Sequence, residues 1–386
     1  MLKILQLCAV DFTAYHFMRP LAAGLREAGY DVTFCCSPGA WLDLLRDDGF
    51  GIMAIPVSRS YNVAHHARSL AALVRFMRRE RFEIVHVHTP VAGLVGRAAA
   101  YLAGVRGIVY TVHGFYFHDR MGATSRAIFA GLERSAAAIT DVIFLVSEED
   151  REEAIRLKIA PPEKLVYTGN GVDPTKFGKA SHAKEAAKFK DEHGLGVGPV
   201  VGFVGRIVRE KGAIEFVRAA AIVRAAIPGA KFVMLGEPLR SDRDNCWDEI
   251  MRLRDELGLT GSLVLAGYRK DVPAILASFD LFVLPSYREG MPVALLEAMA
   301  TELPVVATAI RGCREGVVNG ETGVLVPPRN HEALAAAMRK ILSSKDLMAR
   351  MGAKGRSRVL AKFDERKIVA LQIEHIGRLA RNKLGK

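Results

Sequence analysis

Cysteine is scarce and unpatterned in this chain. The five residues, Cys8, Cys35, Cys36, Cys246 and Cys313, include no Cys-x-x-Cys pair, and their number is odd. That excludes a disulfide-stapled scaffold and points to a reduced, cytosolic compartment. No apolar run approaches the eighteen residues that a membrane-spanning helix needs. The apolar stretch that begins at Leu2 stops at Asp11, so neither a spanning segment nor a signal peptide is expected. The Gly-x-Gly-x-x-Gly fingerprint is missing after the first strands of both halves, which disfavours a dinucleotide-dependent oxidoreductase, and no Walker lysine motif appears. Aromatic residues make up only 8% and rarely alternate with basic ones. A nucleic-acid-binding protein, the class that charge alone would suggest, would be expected to offer such stacking platforms.

What remains is a basic, apolar-rich chain. Among 386 residues, 54 Lys and Arg outnumber 42 Asp and Glu, for a formal charge of +12. An acidic partner is implied: a nucleotide, a nucleic acid or an anionic lipid surface. The length exceeds one ordinary core, so two domains are expected. Strand-like and helix-like stretches alternate, which predicts an α/β fold of parallel sheets covered on both faces. Strands are expected near Lys3–Cys8, Asp31–Cys36, Gly51–Pro56, Ile84–His88, Ile108–Val112, Val142–Val146 and Leu165–Tyr167, with helices such as Met18–Ala28 and Leu70–Glu80 between them. A turn-rich stretch from Gly169 to Lys176 follows. The pattern then restarts at Val200–Val204, Lys231–Leu235, Ser262–Ala266, Leu281–Leu284, Val305–Ala307 and Val324–Val326. Two doubly wound, Rossmann-like domains result, at 1–175 and 176–362. The helical tail that starts at Ala333 is longer than the second sheet needs, so 363–386 is expected to cross back to the first domain.

The segment Ser286-Tyr-Arg-Glu-Gly-Met-Pro-Val-Ala-Leu-Leu-Glu297 carries the strongest functional signal. It follows the apolar strand Leu281–Leu284 and opens a helix near Pro292, a residue suited to a first helical position. Backbone N–H groups and the positive end of a helix dipole then stand at the carboxyl edge of a sheet, where α/β proteins bind phosphorylated ligands. Glu289 and Glu297 suit sugar hydroxyls better than phosphate. Both also read as ordinary solvated carboxylates, although Glu297 lies in an Ala/Leu-rich helix where an unpaired charge is costly. Arg206 and Lys211 bracket the turn after the strand Val200–Val204, and two cations there suit a diphosphate. Taken alone, such a pair is as readily a solvated surface feature.

Gly205-Arg206…Lys211-Gly212, Leu284-Pro-Ser…Glu289-Gly-Met-Pro…Leu296-Glu-Ala298 and Asn170-Gly-Val-Asp173 resemble the retaining glycosyltransferases of the GT4 family, which have the GT-B fold. Val85-His-Val-His-Thr-Pro90 and Tyr110-Thr-Val-His-Gly114 match that family too. The resemblance spans essentially the whole chain. It implies two domains facing across a cleft, a nucleotide-sugar donor, no metal and no further cofactor. By the same resemblance Arg206 and Lys211 hold the donor diphosphate, and Glu289 takes hydroxyls of the donor sugar with help from the backbone of Gly290, Met291 and Pro292. Glu297 takes the ribose, Gly236 and the Tyr268–Arg269 turn lie near the base, and His113 faces the reaction centre. The sequence departs from the family in the first loop, Cys8-Ala-Val-Asp-Phe-Thr-Ala-Tyr-His-Phe17, which lacks the usual glycine pair. Asp11, Thr13 and His16 are therefore assigned to the acceptor side, with a helix cap and packed aromatics as the structural alternative.

Two further patterns stand in the first half of the chain. His86 and His88 share a strand face and could ligate zinc, but no acidic or cysteine partner flanks them, so buried, hydrogen-bonded rings are expected. His65 to Arg81 forms a basic amphipathic helix in which Arg68, Arg75, Arg78 and Arg79 avoid the Leu70, Leu73, Val74 and Met77 stripe. It is either a solvated face or a surface for an anionic inner leaflet. The expected function is transfer of a hexose or N-acetylhexosamine from a UDP-sugar to a glycan or polyprenyl-diphosphate-linked acceptor in polysaccharide biosynthesis. GDP or ADP carriers, and a small acceptor such as a sugar phosphate, inositol or aglycone, are the alternatives within the class. A cytoplasmic location, peripheral to the inner membrane face, goes with this reading.

Overall fold

The computed structural model describes residues 1–57, 63–117, 121–239, 242 and 244–385. The first sheet contains β1 (Lys3–Leu7), β2 (Asp31–Cys36), β3 (Gly51–Ala54), β4 (Ile84–His88), β5 (Gly107–Val112), β6 (Val142–Leu145) and β7 (Leu165–Tyr167). The second contains β8 (Val200–Val204), β9 (Lys231–Leu235), β10 (Leu263–Gly267), β11 (Leu281–Leu284), β12 (Val305–Thr308) and β13 (Gly323–Val326). Every expected strand is present, with ends shifted by two residues at most. The orders are β3-β2-β1-β4-β5-β6-β7 and β10-β9-β8-β11-β12-β13, and the pairings in both sheets are parallel.

These orders set where ligands can bind. Each sheet grows outward in both directions from a central pair, β1 with β4 and β8 with β11. The loops leaving the carboxyl ends of such a pair diverge and open a crevice. Parallel strands need helices on both faces, which is why Ile84–His88 and Leu281–Leu284 are buried along their whole length. On one face of the first sheet Leu5, Leu7, Val85 and Val87 pack with Leu73, Phe76 and Met77 of the helix Val63–Glu80. On the other, Ile4, Phe34, Val109 and Phe144 pack with Leu21, Ala22 and Leu25 and with Ile376, Leu379 and Ala380. In the second sheet Val201, Phe203, Phe232 and Val283 meet Phe216, Val217, Leu334 and Met338.

Contacts divide the chain into 1–169 with 366–386, and 170–365. The sequence-based boundaries, 175/176 and 362/363, lie a few residues away. Backbone bonding accounts for the shift: Val172 N–H donates to the Phe363 carbonyl and Glu365 N–H to the Val172 carbonyl, both at 3.0 Å, tying 170–175 to the second unit. The last helix, Glu365–Leu384, packs on the first sheet. Its Val369 and Ile373 approach the helix Arg19–Glu27 so closely that a Cβ on Gly24 would lie 2.9 Å from each. Lys383 Nζ donates to Asp141 Oδ1 at 2.6 Å at the far end. Among the described residues no helix is long and apolar enough to cross a membrane.

If this helix is an integral part of the first core, Ile376→Ala lowers the unfolding free energy of that unit by about 2–4 kcal/mol through a cavity under Ile4 and Phe144. Urea unfolding followed by circular dichroism measures it, and a loss below roughly 0.5 kcal/mol, the size of a surface substitution, would mean the helix is only loosely docked.

Candidate functional site

The loops leaving β8 and β11 are bound to each other. After β8 the chain passes Gly205 and Arg206, makes a short turn over Arg209–Lys211 and enters the helix Ala213–Ala226 through Gly212. Gly212 has φ +70°, and a Cβ there would lie 2.1 Å from the Pro285 carbonyl oxygen, so only glycine lets the loop press against the end of β11. Tyr287 N–H donates to the Glu210 carbonyl at 2.8 Å, and Arg288 Nε to Glu210 Oε1 at 2.7 Å. The Tyr287 hydroxyl donates to Glu215 Oε1 at 2.5 Å, and burial with that bond pushes its pKa up.

This clamp brings two of the sequence-assigned residues together. Lys211 Nζ donates to both oxygens of Glu289, at 2.6 and 2.8 Å. Ser286 Oγ donates to Glu289 Oε1 at 2.7 Å, and the Thr308 hydroxyl donates to the Ser286 carbonyl at 2.5 Å. The Glu289 side chain is only 9% exposed and that of Lys211 21%, so the pair is shielded enough for charge-assisted bonds to matter. An ammonium carries three N–H donors; two are used here and one is left for a ligand.

The neighbouring loops complete the edge. Arg206 Nη1 pairs with Asp242 Oδ1 in the loop after β9. Gly236 N–H donates to the Gly267 carbonyl at 2.8 Å, and a Cβ on Gly236 would sit 2.1 Å from the Gly205 carbonyl oxygen. Gly236 and Tyr268 are thus neighbours of the Arg206 turn, and Glu237 Oε1 accepts from Tyr268 N–H at 3.3 Å. Arg269 is engaged elsewhere: its guanidinium grips Asp271 at 2.8 and 2.7 Å and lies over Phe189. Pro292, expected at the first helical position, is instead the N-cap of the helix Val293–Ala300, which starts one residue later, and no side chain caps that helix. The Gly290 carbonyl abuts Gly312, and the Met291 carbonyl accepts from Asn170 Nδ2 at 3.2 Å. Glu297 faces another acid. Burial, with Glu365 nearby, raises its pKa to about 7.

In the first unit, polar side chains line one face of the sheet at its switch point. His86 Nε2 lies 2.7 Å from Thr111 Oγ1, His88 Nε2 lies 2.9 Å from Gln6 Oε1, and His88 Nδ1 lies 3.2 Å from His113 Nε2. The rings weighed as a zinc pair therefore spend these nitrogens on neighbours. Burial lowers all three pKa values, His86 to about 3 and His113 to about 4. Asp11 and His16, expected on the acceptor side, are both held by the segment that follows β2. Asp11 Oδ2 accepts from Trp41 N–H at 3.0 Å at the start of the helix Trp41–Asp47, and it fills the space where a Cβ on Gly39 would be. His16 packs on Phe12 and Trp41, with ring centroids 4.2 and 4.6 Å away. A helix cap with packed aromatics, the structural alternative, is what these two residues form. Thr13 ends the short turn Asp11–Thr13 beside them.

Sequence reasoning missed Asp242, Glu237, Ser286 and Gln6. Ser286 sits inside the signal segment, and Gln6 interrupts an apolar strand, so both left a mark. Asp242 and Glu237 lie in irregular loops, and nothing in their spacing marks a partner.

Comparison with known proteins follows the same division. The Glycosyl transferases group 1 family model matches residues 185–358, and the Glycosyltransferase Family 4 model matches residues 16–176. The Escherichia coli UDP-Gal:alpha-D-GlcNAc-diphosphoundecaprenol alpha-1,3-galactosyltransferase is 32% identical over 82% of this chain and 81% of its own length. The Staphylococcus aureus capsular polysaccharide biosynthesis glycosyltransferase CapM is 29% identical over 94% of this chain and 93% of its own. Among solved structures, Anabaena HepE in complex with UDP and glucose has a TM-score of 0.84 at 21% identity, covering 98% of this chain and all of that one.

The buried histidines make a pH prediction. Their folded pKa values lie below the unfolded value near 6.5, so between about pH 6.5 and pH 4 the unfolded chain binds protons that the folded chain refuses. Stability is therefore full above pH 6.5 and falls as pH drops toward 4. Melting temperatures measured across that window should decline, and His86→Gln should make the decline shallower. An unchanged slope would mean that His86 is not held neutral.

Proposed function

Starting from the fact that the chain belongs to the glycosyltransferases of the group 1 and family 4 type, a GT-B fold class engaged in glycan biosynthesis, we propose that it transfers a hexose or N-acetylhexosamine from a UDP-sugar with retention at the anomeric carbon. The observation that carries this reading is the Lys211–Glu289 pair, held by the clamped loops at the switch point of the second sheet. The free ammonium donor of Lys211 and the guanidinium of Arg206 bind the diphosphate. They neutralise the charge that grows on it as the bond to the anomeric carbon breaks. The uncapped N-terminus of Val293–Ala300 adds backbone N–H groups for the same oxygens. Glu289, oriented by Ser286 and Lys211, reads the hydroxyls of the transferred sugar. Glu297 reads the ribose diol, and Gly236 with Tyr268 lines the place of the base.

The acceptor hydroxyl forms the new bond to the anomeric carbon on the face the diphosphate leaves. Its proton passes to a diphosphate oxygen, so no protein nucleophile is needed. His113, at the carboxyl edge of the first sheet, is assigned to a neutral sugar hydroxyl, because its lowered pKa keeps the imidazole uncharged. The acceptor is a glycan carried on a polyprenyl diphosphate. Support comes from the Escherichia coli relative, whose name states such a substrate. The arginine-rich face of Val63–Glu80 then serves as a contact for anionic lipid at the inner membrane.

Glu289→Gln should cut turnover at least tenfold and weaken UDP less than Lys211→Ala does, since the amide keeps one oxygen as acceptor for the Lys211 ammonium while the contact to the sugar is altered. Lys211→Ala should weaken UDP itself by about tenfold in a calorimetric titration, the loss of one charge-assisted contact. Equal UDP affinity in that variant would refute the diphosphate assignment. A third variant tests Glu297. Wild-type UDP affinity should rise with pH through about 7 as the carboxyl ionises and becomes the better acceptor for two hydroxyls. In Glu297→Gln that component should vanish, and curves that superimpose for the two proteins would remove Glu297 from the ribose.

A further inference from the structure

Gln6, His88 and His113 come from three adjacent strands or their ends, β1, β4 and β5, and form one hydrogen-bonded row that leads from the buried middle of the first sheet to its carboxyl edge. Gln6 and His88 are buried, whereas His113 retains partial exposure. We propose that Gln6 and His88 are positioning residues that lock His113 in its Nε2–H tautomer, so that a bare Nδ1 stands at the sheet edge as acceptor for a substrate hydroxyl. The inference rests on the assignment of His113 to the sugar and adds what governs that contact.

The argument is one of donor counting. Gln6 Oε1 accepts only, so His88 Nε2, 2.9 Å away, carries the proton. A neutral imidazole has one N–H, which leaves His88 Nδ1 bare. His113 Nε2, 3.2 Å from that nitrogen, must then donate, and Nδ1 of His113 keeps its lone pair. Among the described residues that Nδ1 has no hydrogen-bond partner. Neutrality is enforced from both sides. Burial lowers His88 and His113 alike, and a charge on either would face its neighbour in an apolar layer that contains Ile4, Val109 and Phe144.

The surroundings hold the row in place. His86 lies against His88 with ring centroids 4.1 Å apart, and its own Nε2 is engaged by Thr111. Thr89, which follows His88, has φ +66°, an uncommon conformation for a β-branched residue. Such strain persists only where the surrounding structure over-determines the backbone. Here it ends β4 abruptly and starts the helix Pro90–Ala103. A bare nitrogen on an uncharged ring accepts from a hydroxyl and gives nothing to a carboxylate or phosphate. The row therefore selects a neutral hydroxyl at this contact and penalises a sugar that carries an acid or lacks the hydroxyl there.

The test is a long-range 1H–15N correlation spectrum of the imidazoles in the full-length, 15N-labelled protein. His88 and His113 should both appear as Nε2–H tautomers. Gln6→Leu should turn His113 into a tautomer mixture and reduce kcat about tenfold, with the donor KM changed less than about twofold. An Nδ1–H signal on His113 in the wild-type protein would overturn the proposal, as would a Gln6→Leu spectrum identical to wild type. The wild-type spectrum decides the lock even if Gln6→Leu does not fold. Full turnover in His113→Ala would instead overturn the substrate-facing half and the role given to His113 above, leaving the tautomer result intact.

Discussion

Everything proposed for the second unit depends on one arrangement: an ammonium and a carboxylate, from loops seventy-odd residues apart, held at 2.6 and 2.8 Å and partly shielded from water. Neither charge would keep a defined position alone, because a lysine stem is flexible and a loop glutamate is readily solvated. What holds them is backbone. Gly212 presses on the Pro285 carbonyl, and Tyr287 N–H bonds the Glu210 carbonyl. Two loops from neighbouring central strands thereby become one rigid lip. A diphosphate arriving at such a lip meets a cation already in place, and preorganisation of this kind spares the cost of assembling charges at the moment of reaction.

The first unit solves a different problem with the same topology. Its switch point carries neutral rings, and burial keeps them neutral. The contrast fits the division of labour that the proposed transfer from a nucleotide sugar requires. Cations belong where a diphosphate departs, and uncharged donors and acceptors belong where hydroxyls are sorted. Glu297 is a third environment. With burial and Glu365 around it, its carboxyl titrates near neutrality, so a modest change in its surroundings changes how well it accepts hydrogen bonds.

Much of this was legible beforehand, for identifiable reasons. Parallel strands buried on both faces leave near-continuous apolar runs such as Leu281–Leu284, and all thirteen could be placed from such runs. Two glycines that permit close approach also stood out, Gly236 because it directly follows the strand Lys231–Leu235 and Gly212 because it opens the helix Ala213–Ala226. The first loop was harder. Asp11 and His16 have the residue types of a binding site, yet Asp11 caps the helix that begins at Trp41, thirty residues away, and no local spacing announces that. The resemblance puts the Tyr268–Arg269 turn near the base, and the sequence gives no sign that Asp271, two residues on, holds the Arg269 guanidinium.

By itself the sequence determined the two α/β units, the strands in each and the residue types gathered at their carboxyl edges, because those follow from hydrophobic periodicity and turn chemistry along the chain. Only the tertiary structure decided which charges meet. It paired Lys211 with Glu289, Arg206 with Asp242 and His88 with Gln6, and it turned Asp11 inward as a cap. The physical reason is that an ion pair or hydrogen bond acts over about 3 Å between atoms. Partners that lie tens of residues apart in sequence reach that distance only after the sheets have set the register of their strands.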